Sequence, residues 1–415
     1  MKRSSSSLLV ATAAALIVTA CGSSNSSKPT SNAGSASKSG NTTYKVGILV
    51  DQTGPASSTN KTVVDGVKAG ALYAARQGVR IKYVVGDTQT SPNAALAAAQ
   101  KLVTQDHVDA VVAESALAFA AAPYLTARGV PVVGAGQDGP EWTTAKNMFS
   151  VFGALNNTKV STTVGNFFKM VGVTNLASIG YGISPISSEA AQQSAQSAKH
   201  AGIKIGYLNA NLALGTTNVG PAVLAMKDAN IDGFTASVDS NTAFAAITAL
   251  RQQGVDLKAS ALATGYGGDL LTAGPGAQKA AQGVYFYLGF EPVEMQTAAT
   301  KQFVDDLEAT GVKGSPTYAE YNGYTSVGLL VRALKSANST DKSQIIHTLS
   351  GIHDWNGLGL FGAHTVNLSD RTTLVSGVDN CIWFTKLVGN EFQVVKGAAP
   401  VCGTVIPGVT VKPAS

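Results

Sequence analysis

Charge is scarce in this chain of 415 residues, where Asp, Glu, Lys and Arg together make up only 13%. The 30 basic residues stand singly among 25 acids, and no stripe of Lys or Arg is interleaved with aromatics. That excludes a nucleic-acid partner, which would need a concentrated basic face. Histidine is equally sparse. The five, at 107, 200, 347, 353 and 364, form no i, i+4 pair and no H-E-x-x-H, so no metal site is assigned. A nucleophile elbow is missing too, because Gly182-Ile-Ser-Pro-Ile186 fails G-x-S-x-G at its last position. Gly134-Ala-Gly-Gln-Asp-Gly139 does match G-x-G-x-x-G after a strand. Pro140 and Trp142 follow it in place of a small-residue helix start, and no acid stands where a ribose contact needs one, so a dinucleotide site is set aside. No catalytic residue and no cofactor is expected. A secreted hydrolase, which would need a nucleophile and its base, is the least favoured class.

Cysteine occurs three times, and each position is informative. Lys2 and Arg3 open the chain, an apolar stretch runs from Leu8 to Val18, and Val18-Thr19-Ala20-Cys21 then presents small residues before a cysteine. This is the order of a secretory signal ending in a lipobox. A stretch this short does not span a bilayer core of about 30 Å, so residues 1–20 read as a cleaved signal and Cys21 as the lipid-bearing first residue of the mature chain. The protein is therefore expected outside the cytoplasm, anchored to the cell membrane through Cys21. Cys381 and Cys402 remain as an even pair in an oxidising compartment, where a disulfide is the default. No later apolar run reaches 18 residues, so no further span is expected.

Residues 21–43 are almost wholly Ser, Asn, Gly, Thr, Ala and Lys, too poor in apolar surface to fold, and read as a flexible tether. Strand candidates then recur at 44–50, 80–85, 109–113, 130–134, 176–181, 203–208, 231–237, 258–264 and 283–288. Helical patterns separate most of them. In the helix from Pro92, Ser91 is placed to cap, and Ala95, Ala99, Leu102 and Val103 recur on one face. Short apolar runs joined by helices indicate βαβ units with parallel sheets covered on both sides. Nine strands are too many for one compact sheet here, so two doubly wound α/β lobes are expected. Ligands in such folds bind beyond the carboxyl ends of the strands.

Four segments together resemble the type I periplasmic binding proteins, specifically the branched-chain amino acid (Leu/Ile/Val) receptors of ABC importers. They are Val46-Gly-Ile-Leu-Val-Asp-Gln-Thr-Gly-Pro55, the run from Gly86 to Leu102, Val130-Pro-Val-Val133, and Tyr318-Ala-Glu-Tyr-Asn-Gly-Tyr324. In the first, Gly54 suits a close turn, and Gly66 and Gly70 on the following helix allow tight packing on the sheet. Asp87 reads as a turn stabiliser more than a ligand contact. The resemblance implies three crossings between lobes, near 149–154, 288–292 and 351–357. Lobe 1 is then 44–150 plus 290–350, and lobe 2 is 151–289 plus 351–405.

By the same resemblance a ligand carboxylate meets lobe 1 at Glu114, Ser115 and Ala116 and at Ala135, Gly136 and Gln137. Free N–H groups and the Ser115 hydroxyl would hold it, although Ser115 also reads as a simple helix cap. Lobe 2 offers Tyr181, Asp239 and Tyr266, with Asp239 either pairing with a ligand ammonium or capping the helix that follows. The pattern departs from the family where the ligand is chosen. Ser184-Pro-Ile-Ser187 replaces a tyrosine-glycine step, and Gly265-Tyr-Gly-Gly268 stands where a glutamate loop is usual. An amino acid or a related amide or aromatic compound is thus the expected ligand, with Tyr181, Tyr266 and Trp142 near the cleft. The function implied is a solute receptor that hands its ligand to an ABC permease. A sensor of the same fold that signals to a membrane partner is the alternative.

Overall fold

The computed structural model describes residues 42–136 and 138–412. The signal segment, Cys21, most of the tether and Gln137 lie outside the described residues.

Fifteen strands occur among them: β1 (Thr43–Val50), β2 (Arg80–Asp87), β3 (Ala110–Glu114), β4 (Val132–Gly134), β5 (Met148–Ser150), β6 (Lys159–Ser161), β7 (Asn175–Tyr181), β8 (Lys204–Leu212), β9 (Gly233–Ser237), β10 (Ala259–Leu262), β11 (Tyr285–Leu288), β12 (Cys381–Val388), β13 (Glu391–Val394), β14 (Val401–Cys402) and β15 (Val405–Thr410). Five form a parallel sheet in the order β2-β1-β3-β4-β5. A larger sheet runs β13-β12-β11-β10-β9-β7-β8. Each of the nine expected strands exists, some with trimmed ends and some, such as β2 and β8, running further than expected. Pro131 has no N–H to give the ladder, so β4 starts at Val132 and Pro131 contributes only its carbonyl, to Val111 N at 2.9 Å.

Register sets the site. Val50 pairs with Asp87 on one side and Glu114 on the other, and Ala113 pairs with Gly134. The first sheet therefore ends along one edge, with Asp51 the first residue beyond it. Gly180 pairs with Ser237, and Leu262 with both Ala236 and Phe286, giving the second sheet a matching edge.

The chain passes between the sheets three times, after β5, after β11 and before β12. The three passages meet in an aromatic cluster, where the Phe152 and Phe290 rings lie 4.8 Å apart and Phe361 packs on both. Gly289 is required there, since a Cβ would sit 2.3 Å from the Phe152 ring. Arg371 donates to the carbonyls of Trp142 and Met148, so the last passage also grips the edge of the first sheet.

Four expectations need correction. The second sheet is mixed, because β12 runs antiparallel to β11 and turns through Gly389 into β13. Gly66 and Gly70 pack against helix Tyr318–Ala337 and not the sheet: a Cβ on Gly66 would lie 2.1 Å from the Glu320 carbonyl oxygen, and one on Gly70 would meet Val327. Ser91 occupies the N-cap position of helix Pro92–Thr104 but makes no side-chain capping bond. Ala95, Ala99 and Leu102 of that helix are buried as the periodicity requires. Tyr266 is the fourth, described with the site. Cys381 and Cys402 form a disulfide that ties β14 to β12. His364 Nδ1 stands 3.9 Å from Cys381 Sγ, but sulfurs joined to each other offer no thiolate to a metal. No helix among the described residues is long and apolar enough to cross a membrane.

Candidate functional site

A cavity of about 290 Å3 lies between the carboxyl edges of the two sheets. The first sheet contributes Ala113, Glu114, Ser115 and Ala116 after β3, and Ala135, Gly136 and Asp138 after β4. From the second come Tyr181, Ser184 and Ser187 after β7, Val238 and Asp239 after β9, and Thr264 after β10. Phe152, Tyr287, Tyr318 and Leu214 supply apolar walls. Hydrogen bonds bridge the edges directly. Thr59 Oγ1 is 3.3 Å from Ser240 Oγ, and Ile186 N reaches the Asp138 carbonyl at 3.5 Å.

The first edge is built around two carboxylates of the chain itself. Asp51 accepts from Ser115 Oγ, Ala116 N and Asn60 Nδ2, each at 2.8 Å, and from the Thr88 hydroxyl. Glu114 accepts from Ala135 N and, at 3.4 Å, from Asn322 Nδ2. The donors at 115, 116 and 135 thus point where the sequence placed them, but an internal carboxylate already takes each one. Ser115 additionally receives Leu117 N at 3.1 Å, the local turn bond expected of a cap.

Burial dominates the electrostatics. It pushes the Glu114 carboxyl up to about 8, with Asp138 and Asp51 adding to the shift and the Ala135 N–H opposing it. Burial also raises Asp138 and Glu141, which hydrogen-bond to each other, and the higher affinity for the proton is on Glu141. Phe119 N and Trp142 Nε1 donate to Asp138, the latter at 2.7 Å, which orients Trp142 into the wall behind the cavity.

On the second edge, Asp239 is both a helix cap and a cavity residue. Oδ1 accepts from Asn241 N at 2.9 Å and Thr242 N at 3.1 Å, while Oδ2 takes the Tyr181 hydroxyl and Thr242 Oγ1. Burial, then the adjacent Asp239 charge, holds the Tyr181 phenol far above its ordinary value. Tyr266 does not join them. Gly265 and Gly267, both at positive φ, turn the loop away, and the Tyr266 hydroxyl donates to Glu294 Oε2 at 2.7 Å with its ring against Phe392. Asp87 accepts from Gln52 N, Thr53 N, Thr53 Oγ1 and Gln89 N, the turn role read from sequence.

Sequence reasoning brought Glu114, Ser115, Ala116, Ala135, Gly136, Tyr181 and Asp239 together. It missed Asp51 as their partner, and it missed Phe152, Tyr287 and Tyr318. Asp51 follows an apolar strand directly, and such a lone acid at a strand end is the signal that could have flagged it.

A family model described as periplasmic binding protein matches residues 43–391. Solved structures match across the fold. The branched-chain amino acid transporter substrate binding protein LivJ from Streptococcus pneumoniae, in complex with isoleucine, is 18% identical, with 88% of this chain and 99% of that one covered and a TM-score of 0.69. A solute binding protein of an ABC transporter from R. palustris, in complex with benzoate, is 16% identical, with 89% and 100% covered and a TM-score of 0.70. A possible leucine/isoleucine/valine-binding protein from Rhodopirellula baltica is 14% identical, with 85% and 96% covered and a TM-score of 0.71. At these identities the likeness establishes the type I periplasmic binding fold. No curated protein matches the chain by sequence.

Proposed function

We propose, for a chain that belongs to the periplasmic binding protein family, that it captures a small molecule between its lobes and delivers it to the permease of an ABC importer. Lobe 1 is taken as 44–150 plus 290–350, and lobe 2 as 151–289 plus 351–405. Cys21 carries the lipid that keeps the receptor at the outer face of the cell membrane. The observation that carries this reading is the cavity bounded by both carboxyl edges, bridged by Thr59 and Ser240. A ligand there touches both lobes at once, so its contacts favour the closed form, and a permease can read that shape. Glu114, Ser115, Ala116, Ala135, Gly136, Tyr181 and Asp239 are the proposed binding residues. Gln137, next in sequence to Gly136, is proposed with them.

The test uses the compact unit from Gly40 to Ser415. Thermal-shift screening against amino acids, amides, aromatic acids, amines and polyols should find a stabilising ligand, worth about 2.7 kcal/mol at 100 times its dissociation constant. Small-angle scattering with that ligand should show contraction. A flat screen, or binding without any change in scattering, counts against capture by closure.

A further inference from the structure

The lobe 1 edge gathers buried acids that no side-chain cation of the described residues pairs with. Asp51, Glu114, Asp138 and Glu141 are each at most 7% exposed, and no ion pair among the described residues involves any of them. Asp239 faces them from lobe 2, itself 6% exposed. Among the described residues no Lys, Arg or His lines the cavity. Buried acids are ordinarily paired with a cation or neutralised by a proton.

The hydrogen bonds point the same way. A ligand carboxylate at this edge would need the donors at Ser115, Ala116 and Ala135. Asp51 holds the first two, and Glu114 holds the third. An anionic ligand would have to displace a fixed internal carboxylate and then sit beside it, losing on both counts. What the edge still offers is acceptor capacity at Glu114, which takes two donors against the roughly four that a carboxylate accepts once an adjacent ammonium favours its ionised form. Phe152, Tyr181, Tyr287 and Tyr318 line the same space, and aromatic walls of this kind hold an ammonium by their π faces.

We propose that the cleft takes a small organic cation, an ammonium on an apolar or aromatic body, and that Asp51 and Glu114 are the selectivity residues that shut the lobe 1 anchor to carboxylates. This rests on the solute-capture reading above. It adds the charge of the ligand and the residues that choose it.

The experiment is calorimetry on the Gly40–Ser415 unit with matched triplets sharing one body, such as benzylammonium, benzyl alcohol and benzoate, extended over aliphatic and bicyclic bodies. The ammonium member of at least one triplet should bind about tenfold or more tighter than its alcohol, with the carboxylate weakest of the three. Glu114→Gln should shrink the gap between ammonium and alcohol about fivefold or more while the melting profile stays cooperative. Asp51→Asn should do the same, and Glu114→Gln reads independently if Asp51→Asn fails to fold. A carboxylate or an alcohol that binds as well as its ammonium counterpart overturns the cation inference and leaves capture standing. Absence of binding by every member of every triplet, in a protein that melts cooperatively, counts against capture itself. An ammonium preference that survives both substitutions removes Asp51 and Glu114 as its cause.

Discussion

Gly267, after β10 of the second sheet, lies against the backbone that leads into helix Tyr318–Ala337, and replacing it measures how tight that contact is. Its φ is +62°, and a Cβ built on it would lie 1.8 Å from the Pro316 carbonyl oxygen. Real Cβ contacts stay above 3.0 Å, so Gly267→Ala forces the two segments apart by more than an ångström. Pro316 cannot easily yield, because Thr317 beside it is fixed in a capping box with Glu320 at the start of helix Tyr318–Ala337. Gly254 is the control. Its φ is +73° with nothing within 4 Å, so Gly254→Ala pays only the left-handed penalty of about 1–2 kcal/mol. In a chain of this size 1 kcal/mol moves the melting midpoint by about 2 °C or less. Gly254→Ala should therefore lose a few degrees and leave the overall dimensions alone. Gly267→Ala should lose more, or relieve the clash by opening, which small-angle scattering reads as a larger radius of gyration and a smaller ligand-induced contraction. Equal melting losses and superimposable scattering from the two variants would refute the closed contact.

Asp239→Asn keeps an N-cap acceptor and drops the charge, so it should weaken an ammonium ligand with little change in melting. Asp239→Ala should also cost about 1 kcal/mol through the lost cap, and a melting curve for each variant separates the two roles. Stability should fall as pH rises from about 4.5 towards 8. Burial raises Glu114 to about 8 and Glu320 to about 7 from an ordinary value of 4.5, so the folded state holds protons that the unfolded chain has released. Their contribution is complete below about pH 4.5 and is lost as pH climbs through 7 to 8. Melting scans from pH 5 to 9 should show the decline, and Glu114→Gln should flatten it; a profile that Glu114→Gln leaves unchanged would clear Glu114 of the effect. Removing the disulfide by a Cys381→Ala, Cys402→Ser double variant opens a loop spanning 21 positions and should cost about 3 kcal/mol on the chain-entropy model. Calorimetry that finds no loss would show the unfolded chain to be insensitive to that link.

Most of the fold was legible because burial on both faces of a parallel sheet writes itself into sequence as continuous apolar runs. β3 and β7 are buried at every position, and their runs of Ala, Val, Ile and Leu stand out without further context. β12 carried as strong an apolar run but followed a stretch without helical periodicity, so the alternation of strand and helix gave no reason to expect it. β5 and β6 have three residues each, too few to show any period. Tyr266 failed for a different reason. Its loop does leave β10 at the carboxyl edge, but two positive-φ glycines decide which way the ring faces, and dihedral angles at glycine are not written in the identity of the neighbours.

The site shows the limit more sharply. Helix starts and strand ends identify donors, and the donors at Ser115, Ala116 and Ala135 were found that way. What a donor binds depends on which chain segment arrives opposite it, and that is a matter of register. Asp51 is 64 positions from Ser115, and it reaches the hydroxyl only because Val50 pairs with Glu114, which puts residue 51 and residue 115 side by side beyond the same edge. A shift of one residue in that pairing would turn the Asp51 side chain to the opposite face. Ser115 and Ala116 would then be free to hold a ligand carboxylate. The proposed exclusion of a carboxylate from this edge thus rests on Asp51 and Glu114 and, for Asp51, on the register that delivers it.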